Sequence, residues 1–203
     1  MSDEPRKGGY IRQAWLVIVL AAVYGGALAG AQTALGPRIA ENRRHETYQV
    51  IPTLVPIEGK PTIEPVTVDA EDGNKWLVYR VANNDGSQAG WILPAHGQGF
   101  MDRIDLLIGV TPDVSTITGL YVLDQKETPN LGSHIIETPF RGQFDKMPTE
   151  EPVVVVTGTP TMVNEIRAVT GATISSTSVA DIVNRAIKNL KTPIQQFQED
   201  KNK

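Results

Sequence analysis

Val169-Thr170-Gly171-Ala172-Thr173-Ile174-Ser175-Ser176 is the stretch in which an apolar, strand-like run turns into a helix, and its reading decides the fold. Downstream of it Ile174, Val179, Ile182, Val183, Ala186, Ile187 and Leu190 recur at helical spacing, with Asp181, Arg185, Lys188 and Lys191 on other faces. The helix starts among Thr173, Ser175 and Ser176, all competent N-caps, and its basic end suits the macrodipole. A helix start offers unsatisfied amide donors and the positive end of a dipole, which together welcome a phosphate group. Gly171 lets backbone come close, Ala172 is too small to block the approach, and Thr173 presents a hydroxyl at that focus. A plain N-cap behind a glycine turn accounts for the same residues, so both readings stand on the octapeptide alone.

Working back from the turn, strands are expected at Val153 to Thr157 and Asn164 to Val169. Before them, Lys75 to Ala82, the turn Asn83-Asn84-Asp85-Gly86 and Gln88 to Leu93 make a hairpin. Trp76 and Trp91 on its strands read as packing residues. His96-Gly97-Gln98-Gly99-Phe100 reads as a crossing loop. Two further strands, Ile104 to Val110 and Thr116 to Leu123, reverse at Thr111-Pro112-Asp113. Glu127-Thr128-Pro129-Asn130-Leu131-Gly132 then forms a turn ahead of a short helix from Leu131 to Arg141: Pro129 holds Thr128 extended, Asn130 tolerates a positive φ, and Gly132 admits a close backbone approach. The expected fold class is α+β, an antiparallel sheet with flanking helices.

At the front of the chain no residue from Gln13 to Pro37 is charged, and the run stays apolar or small through Leu35. A membrane-crossing helix needs roughly 20 such residues. A cleaved signal peptide also begins with basic residues like Arg6, Lys7 and Arg12, but its apolar core is only about 7 to 15 residues. The run therefore reads as an uncleaved span, stopped at Pro37 and Arg38. Small residues spaced by four, among them Gly26 and Gly30, would let a neighbouring membrane helix approach. Basic residues on the two sides balance, so charge leaves the orientation open. A short N-terminal tail before a large C-terminal domain suits a signal anchor with its N-terminus in the cytoplasm. Residues 1–37 are thus expected to be tail and membrane helix, 38–65 a connector in which Ile39 to Val50 are a helical continuation or a second short helix and Ile51 to Pro65 are proline-punctuated, and 66–203 an extracytoplasmic domain.

Composition narrows the function by exclusion. The 203 residues carry a formal net charge of −4 with no basic run, which argues against a nucleic-acid partner. Without cysteine there is no disulfide framework, thiolate metal site or cysteine nucleophile. The three histidines, His45, His96 and His134, have no ligand-like spacing, and no metal site is expected.

The two loops taken together, Glu127-Thr128-Pro129-Asn130-Leu131-Gly132 and, roughly 40 residues later, Thr170 to Ser176, resemble the covalent FMN-binding domain shared by the Rnf complex G subunit and the Nqr C subunit. The membrane helix ahead of the domain fits the same pattern, so the resemblance covers nearly the whole chain. It implies a single-pass protein of the cell's inner membrane that carries electrons within an ion-translocating Rnf-type ferredoxin:NAD oxidoreductase, alongside other membrane and redox subunits. It also implies FMN held on Thr173 by a phosphoester that a flavin transferase installs. Thr170, Gly171, Ala172, Ser175 and Ser176 would then surround the phosphate, and Glu127, Thr128, Leu131 and Gly132 would border the flavin ring. No acid, base or metal of the chain need act as a catalyst. Three positions depart from the family pattern: Asn130 stands where glycine is usual, Gln125 where histidine is common, and Arg167 where an acidic residue is common. An Nqr-type C subunit, or a flavoprotein subunit of another respiratory complex, is the alternative that keeps the flavin, and a membrane-anchored structural or assembly subunit with an unused flavin site the alternative that does not.

Overall fold

The computed structural model describes residues 8–57 and 59–201. They divide into two compact units, Met1–His45 and Glu46–Lys203. The basic residues Arg6 and Lys7 expected ahead of the span lie outside the described residues.

Helix α1 runs from Gly8 to Leu54. Its residues from Ala14 to Leu35 would reach about 33 Å at the usual helical rise, enough to cross the hydrocarbon core. Every side chain from Ala14 to Ile39 is exposed, including Val17 at 68%, Tyr24 at 70% and Leu28 at 71%. Water would not tolerate such a surface, whereas lipid requires it. The expected break at Pro37 does not occur. Proline withholds one N–H from the ladder, at the carbonyl of Thr33, and membrane helices absorb that loss.

The unit from Glu46 onward is built on a six-stranded antiparallel sheet whose strands lie in chain order: β1 Thr62–Asp69, β2 Lys75–Ala82, β3 Gln88–Gln98, β4 Arg103–Val110, β5 Thr116–Asp124 and β6 Met147–Pro148. Alternation along the strands gives the sheet two apolar faces. Trp91, Leu93, Ile104, Leu106, Ile108 and Val122 face the larger core, and Val81, Ile92 and Leu107 the smaller one. Strand β1 falls partly in the expected connector. Its Pro65 pairs with Tyr79 on an edge strand, where a missing donor is tolerated. Strand β3 extends through His96-Gly97-Gln98, which sequence reading places in a loop. Gly97 sits so close under the C-terminal helix α3, Thr173–Lys201, that a Cβ there would lie 2.6 Å from Ile182. Gly97 serves close packing rather than a turn.

The smaller core is closed by the end of α1. Thr47, Ile51 and Leu54 fall on one buried helical face, and Ile51, Leu54 and Val55, the residue just past the helix, pack with Val81, Ile92 and Leu107. Gly109 and Gly119, paired across β4 and β5, leave room for the Leu54 backbone, and the Thr118 hydroxyl donates to the Leu54 carbonyl at 2.6 Å.

Helix α3, Thr173–Lys201, covers the other face through Val179, Ile182, Val183, Ala186, Leu190 and Ile194. Trp91 is fully buried there, edge-on to Phe197, as its packing role requires. The helix expected from Leu131 to Arg141 is divided. A 3-10 turn at Gly132–Ile136 is followed by extended Glu137, then by the short α2, Thr138–Arg141. In a continuous helix the Pro139 ring would strike the carbonyl of Ile135, so the chain restarts with proline in the first turn. The strands before the Val169–Ala172 turn, β7 Val154–Val156 and β8 Glu165–Arg167, form a separate parallel pair.

Candidate functional site: a threonine at the start of α3

The octapeptide folds as a type II turn that feeds directly into α3. Ala172 donates its N–H to the Val169 carbonyl at 2.9 Å, and Gly171, third in the turn, has φ +81°. Only a residue without a Cβ adopts that angle freely. Thr173 is the first helical residue and is exposed, as are Thr170, Gly171 and Ile174. The first helical hydrogen bond is from Ser176 N–H to the Ala172 carbonyl, so the amides of Thr173, Ile174 and Ser175 precede the ladder. An exposed hydroxyl, orphan amides and the positive end of a long helix thus share one place.

The two serines behave differently from their expected role. Ser176 is fully buried, and its hydroxyl accepts from Val169 N–H at 3.0 Å while donating to the Ala172 carbonyl at 2.9 Å. It ties strand exit to helix start. The Ser175 hydroxyl, also buried, donates to Glu127 Oε2 at 2.6 Å. Both hydroxyls are committed inside the protein, and only the Ser175 backbone N–H is left to offer a ligand. Removing the Ser176 hydroxyl in Ser176→Ala leaves Val169 N–H unpaired, and a loss of about 1–3 kcal/mol in denaturant unfolding is expected.

The proline-glycine loop meets this turn. The Thr128 carbonyl accepts from Leu131 N–H at 3.2 Å and from Ser133 N–H at 3.1 Å, and Asn130 takes φ +59°, so asparagine does serve where glycine is usual. Leu131 overlies the turn: a Cβ on Gly171 would lie 2.7 Å from Leu131 Cδ2. Gly132 packs on both Ser175 and Glu127. Glu127 is only 4% exposed, its Oε1 accepting from Met101 N–H at 3.1 Å. The carboxylate therefore points into the protein and links segments, where sequence reading has it bordering a ring. Met101 and Phe100, which sequence reading did not single out as site residues, are exposed at 60% and 55% beside it. Gly99, one residue earlier, was the available signal.

The two remaining departures have local roles. The Gln125 side chain accepts from Glu127 N–H at 2.6 Å. Arg167 is exposed, and its backbone exchanges hydrogen bonds with the Gln143 amide. A hollow of about 480 Å³ opens between His134, Phe140, Pro160, Arg167 and Val169. On its rim His134 bonds Glu137 at 2.8 Å, and that bond holds the imidazole pKa above its ordinary value. A raised histidine pKa means that the pair's contribution is complete below about 6.5 and is lost as pH climbs through the raised value. NMR titration of His134 is expected to show this upward shift, and Glu137→Gln to reduce it.

With this geometry in view, the matches to known proteins are specific. The FMN-binding domain model matches residues 99–188, a span that begins at Gly99 and includes both loops. The G subunit of the ion-translocating oxidoreductase complex of Methanosarcina acetivorans is 31% identical over 179 residues, covering 84% of this chain and 89% of that protein. The chain belongs to the family of Rnf complex G subunits. The G subunit of the proton-translocating ferredoxin:NAD(+) oxidoreductase complex of Clostridium ljungdahlii is 33% identical, over 61% of this chain and 58% of that one. The crystal structure of Shewanella oneidensis NqrC superposes with a TM-score of 0.55 at 19% identity, covering 73% of this chain and 70% of NqrC, and so shares the fold. The residues of this Rnf G-family member fit an FMN phosphate: orphan amides, a glycine without a blocking Cβ and an exposed hydroxyl converge on Thr173. Exposed Leu131 and Ile174 offer apolar surface beside it.

Proposed function

We propose that this chain is an electron-carrying flavoprotein subunit of a membrane-bound, ion-translocating Rnf-type complex of the ferredoxin:NAD class, with FMN joined to Thr173 through a phosphoester. The observation that carries the proposal is the exposed Thr173 hydroxyl at the first residue of α3, behind a type II turn whose Gly171 lies against Leu131. Bound FMN would supply the redox chemistry, accepting and releasing electrons on its isoalloxazine. The chain's own residues bind and orient. The α3 amides and dipole hold the phosphate, Gly171 keeps the approach open, and Leu131 shields one side of the turn. Thr170, exposed on the turn, lies within the same phosphate environment. Gly132 and Thr128 set the loop that carries Leu131.

A covalent bond suits a domain on the extracytoplasmic side of the membrane, with the N-terminus cytoplasmic. No pool of FMN replaces a lost cofactor there, and a tether converts an affinity into a fixed effective concentration. The partners follow: other membrane and redox subunits of the complex, lipid around α1, and a flavin transferase during maturation. The extent of similarity to the Methanosarcina G subunit, across most of both chains, favours the Rnf complex over an Nqr-type one.

The test is the native protein itself. After denaturing electrophoresis the band is expected to fluoresce under ultraviolet light, and a tryptic peptide containing Thr173 to weigh more by one FMN less water. A dark band from the native host would refute the covalent reading.

A further inference from the structure

We infer that Glu127 is the positioning residue for the acceptor turn: its buried carboxylate fastens Ser175, and with it the first turn of α3 that carries Thr173, to the backbone of Met101. The inference rests on the phosphoester reading of Thr173. Its basis is a cage. Oε2 accepts from the Ser175 hydroxyl at 2.6 Å and Oε1 from Met101 N–H at 3.1 Å. Glycine backbone closes the remaining sides: a Cβ on Gly99 would collide with Oε1, and one on Gly132 would stand 2.8 Å from Ser175 Oγ and 2.9 Å from Glu127 Cβ. Three separate segments, the β3–β4 turn, the proline-glycine loop and α3, are shaped around one carboxylate.

Packing alone does not explain a carboxylate at this point. Burying one costs several kcal/mol, and the donors that meet it, a hydroxyl and a backbone amide, are neutral, so an apolar side chain would fill the same volume more cheaply. The start of α3 offsets part of that cost, because Ser175 belongs to its first turn and the dipole there favours negative charge. What the carboxylate's two hydrogen-bonding positions secure is geometry. Thr173 lies two residues before Ser175, while Met101 and Leu131 are carried by the other two caged segments. One side chain thereby sets the acceptor hydroxyl relative to the exposed apolar groups around it.

Attachment is where this geometry acts. In the balanced step the Thr173 oxygen forms a bond to the flavin-side phosphorus of a flavin dinucleotide, the phosphoanhydride bond breaks, and a nucleoside monophosphate leaves. The hydroxyl proton passes to base, and nothing is oxidised or reduced. Misplacing a reacting hydroxyl by about 1 Å can cost on the order of a hundredfold in rate.

The experiment uses full-length apoprotein in detergent with a flavin transferase and flavin dinucleotide, measuring kcat and KM for loading, with the apoprotein melting temperature as control. Glu127→Ala and Ser175→Ala are expected to lower kcat by on the order of tenfold or more with KM for the chain little changed. Glu127→Gln should recover most of that loss, since its amide still accepts from Met101 N–H and can donate to Ser175 Oγ. Should Glu127→Ala not fold, Ser175→Ala, which removes a single donor, carries the test. Wild-type kcat in a folded Ser175→Ala variant overturns the inference, as does a loss confined to KM or a Gln variant no better than Ala. Failure of the wild-type chain to load would instead refute the phosphoester itself.

Discussion

Thr173→Val is expected to yield a folded chain whose denatured band carries no flavin fluorescence. The substitution is nearly isosteric and keeps the β-branch, so the first turn of α3 is preserved, and it removes only the oxygen that a phosphoester requires. Thr173 is exposed, and the hydrogen bonds that hold the turn belong to Val169, Ala172 and Ser176. A surface change of this kind usually shifts stability by no more than about 0.5 kcal/mol, so unfolding midpoints of variant and wild type should nearly coincide. Flavin content should fall to background. Thr170→Val is the internal control, because Thr170 is a second exposed threonine on the same turn but sits before Gly171 and outside the helix. It should retain the label. Persistent fluorescence in Thr173→Val, or its loss only in Thr170→Val, would move the acceptor or abolish the covalent reading.

Which features the sequence disclosed follows from how local each one is. Strands β2, β4 and β5 alternate apolar and polar or sit between clear turns, and α3 repeats at helical spacing, so each announces itself within one window. The type II turn is equally local, since Gly171 and its neighbours contain all its hydrogen bonds. Features defined by remote partners were not legible. Ser175 and Ser176 look like phosphate donors in one dimension, and only the fold shows their hydroxyls spent on Glu127 and on the turn's backbone. Gly97 looks like a loop residue, and the tight packing of Gly99 in the β3–β4 turn goes unseen, because the atoms that would collide with a Cβ, from Ile182 and Glu127, lie far along the chain. Pro65 suggests a connector because edge status, which excuses a proline in a strand, is a property of the whole sheet. Pro37 and Pro139 show the same dependence on context: α1 absorbs the first, while the second divides a helix.

The end of α1 leads to the second large effect. A soluble fragment that starts at Glu46 is expected to unfold cooperatively, whereas one that starts at Val66, just past the expected connector, should fail to fold. The shorter fragment lacks Ile51, Leu54 and Val55, whose side chains are 0%, 4% and 2% exposed, and it loses the first half of β1. Val81, Ile92 and Leu107 would then face water on the side of the sheet that α1 covers. Fully burying one such aliphatic side chain contributes about 1.5–3 kcal/mol, so three of them together are worth roughly 5–9 kcal/mol. Domains of this kind are stable by only about 5–15 kcal/mol, and the loss consumes most or all of that margin. Circular dichroism melts of the two fragments decide the matter, and a cooperative transition in the fragment from Val66 would refute it. Leu54→Ala in the longer fragment gives the graded version, with an expected loss of about 2–5 kcal/mol. Because the same helix that runs from the apolar span also completes the domain's smaller core, any linker inserted between residues 46 and 55 should act on folding itself rather than only on the reach of the flavin from the membrane.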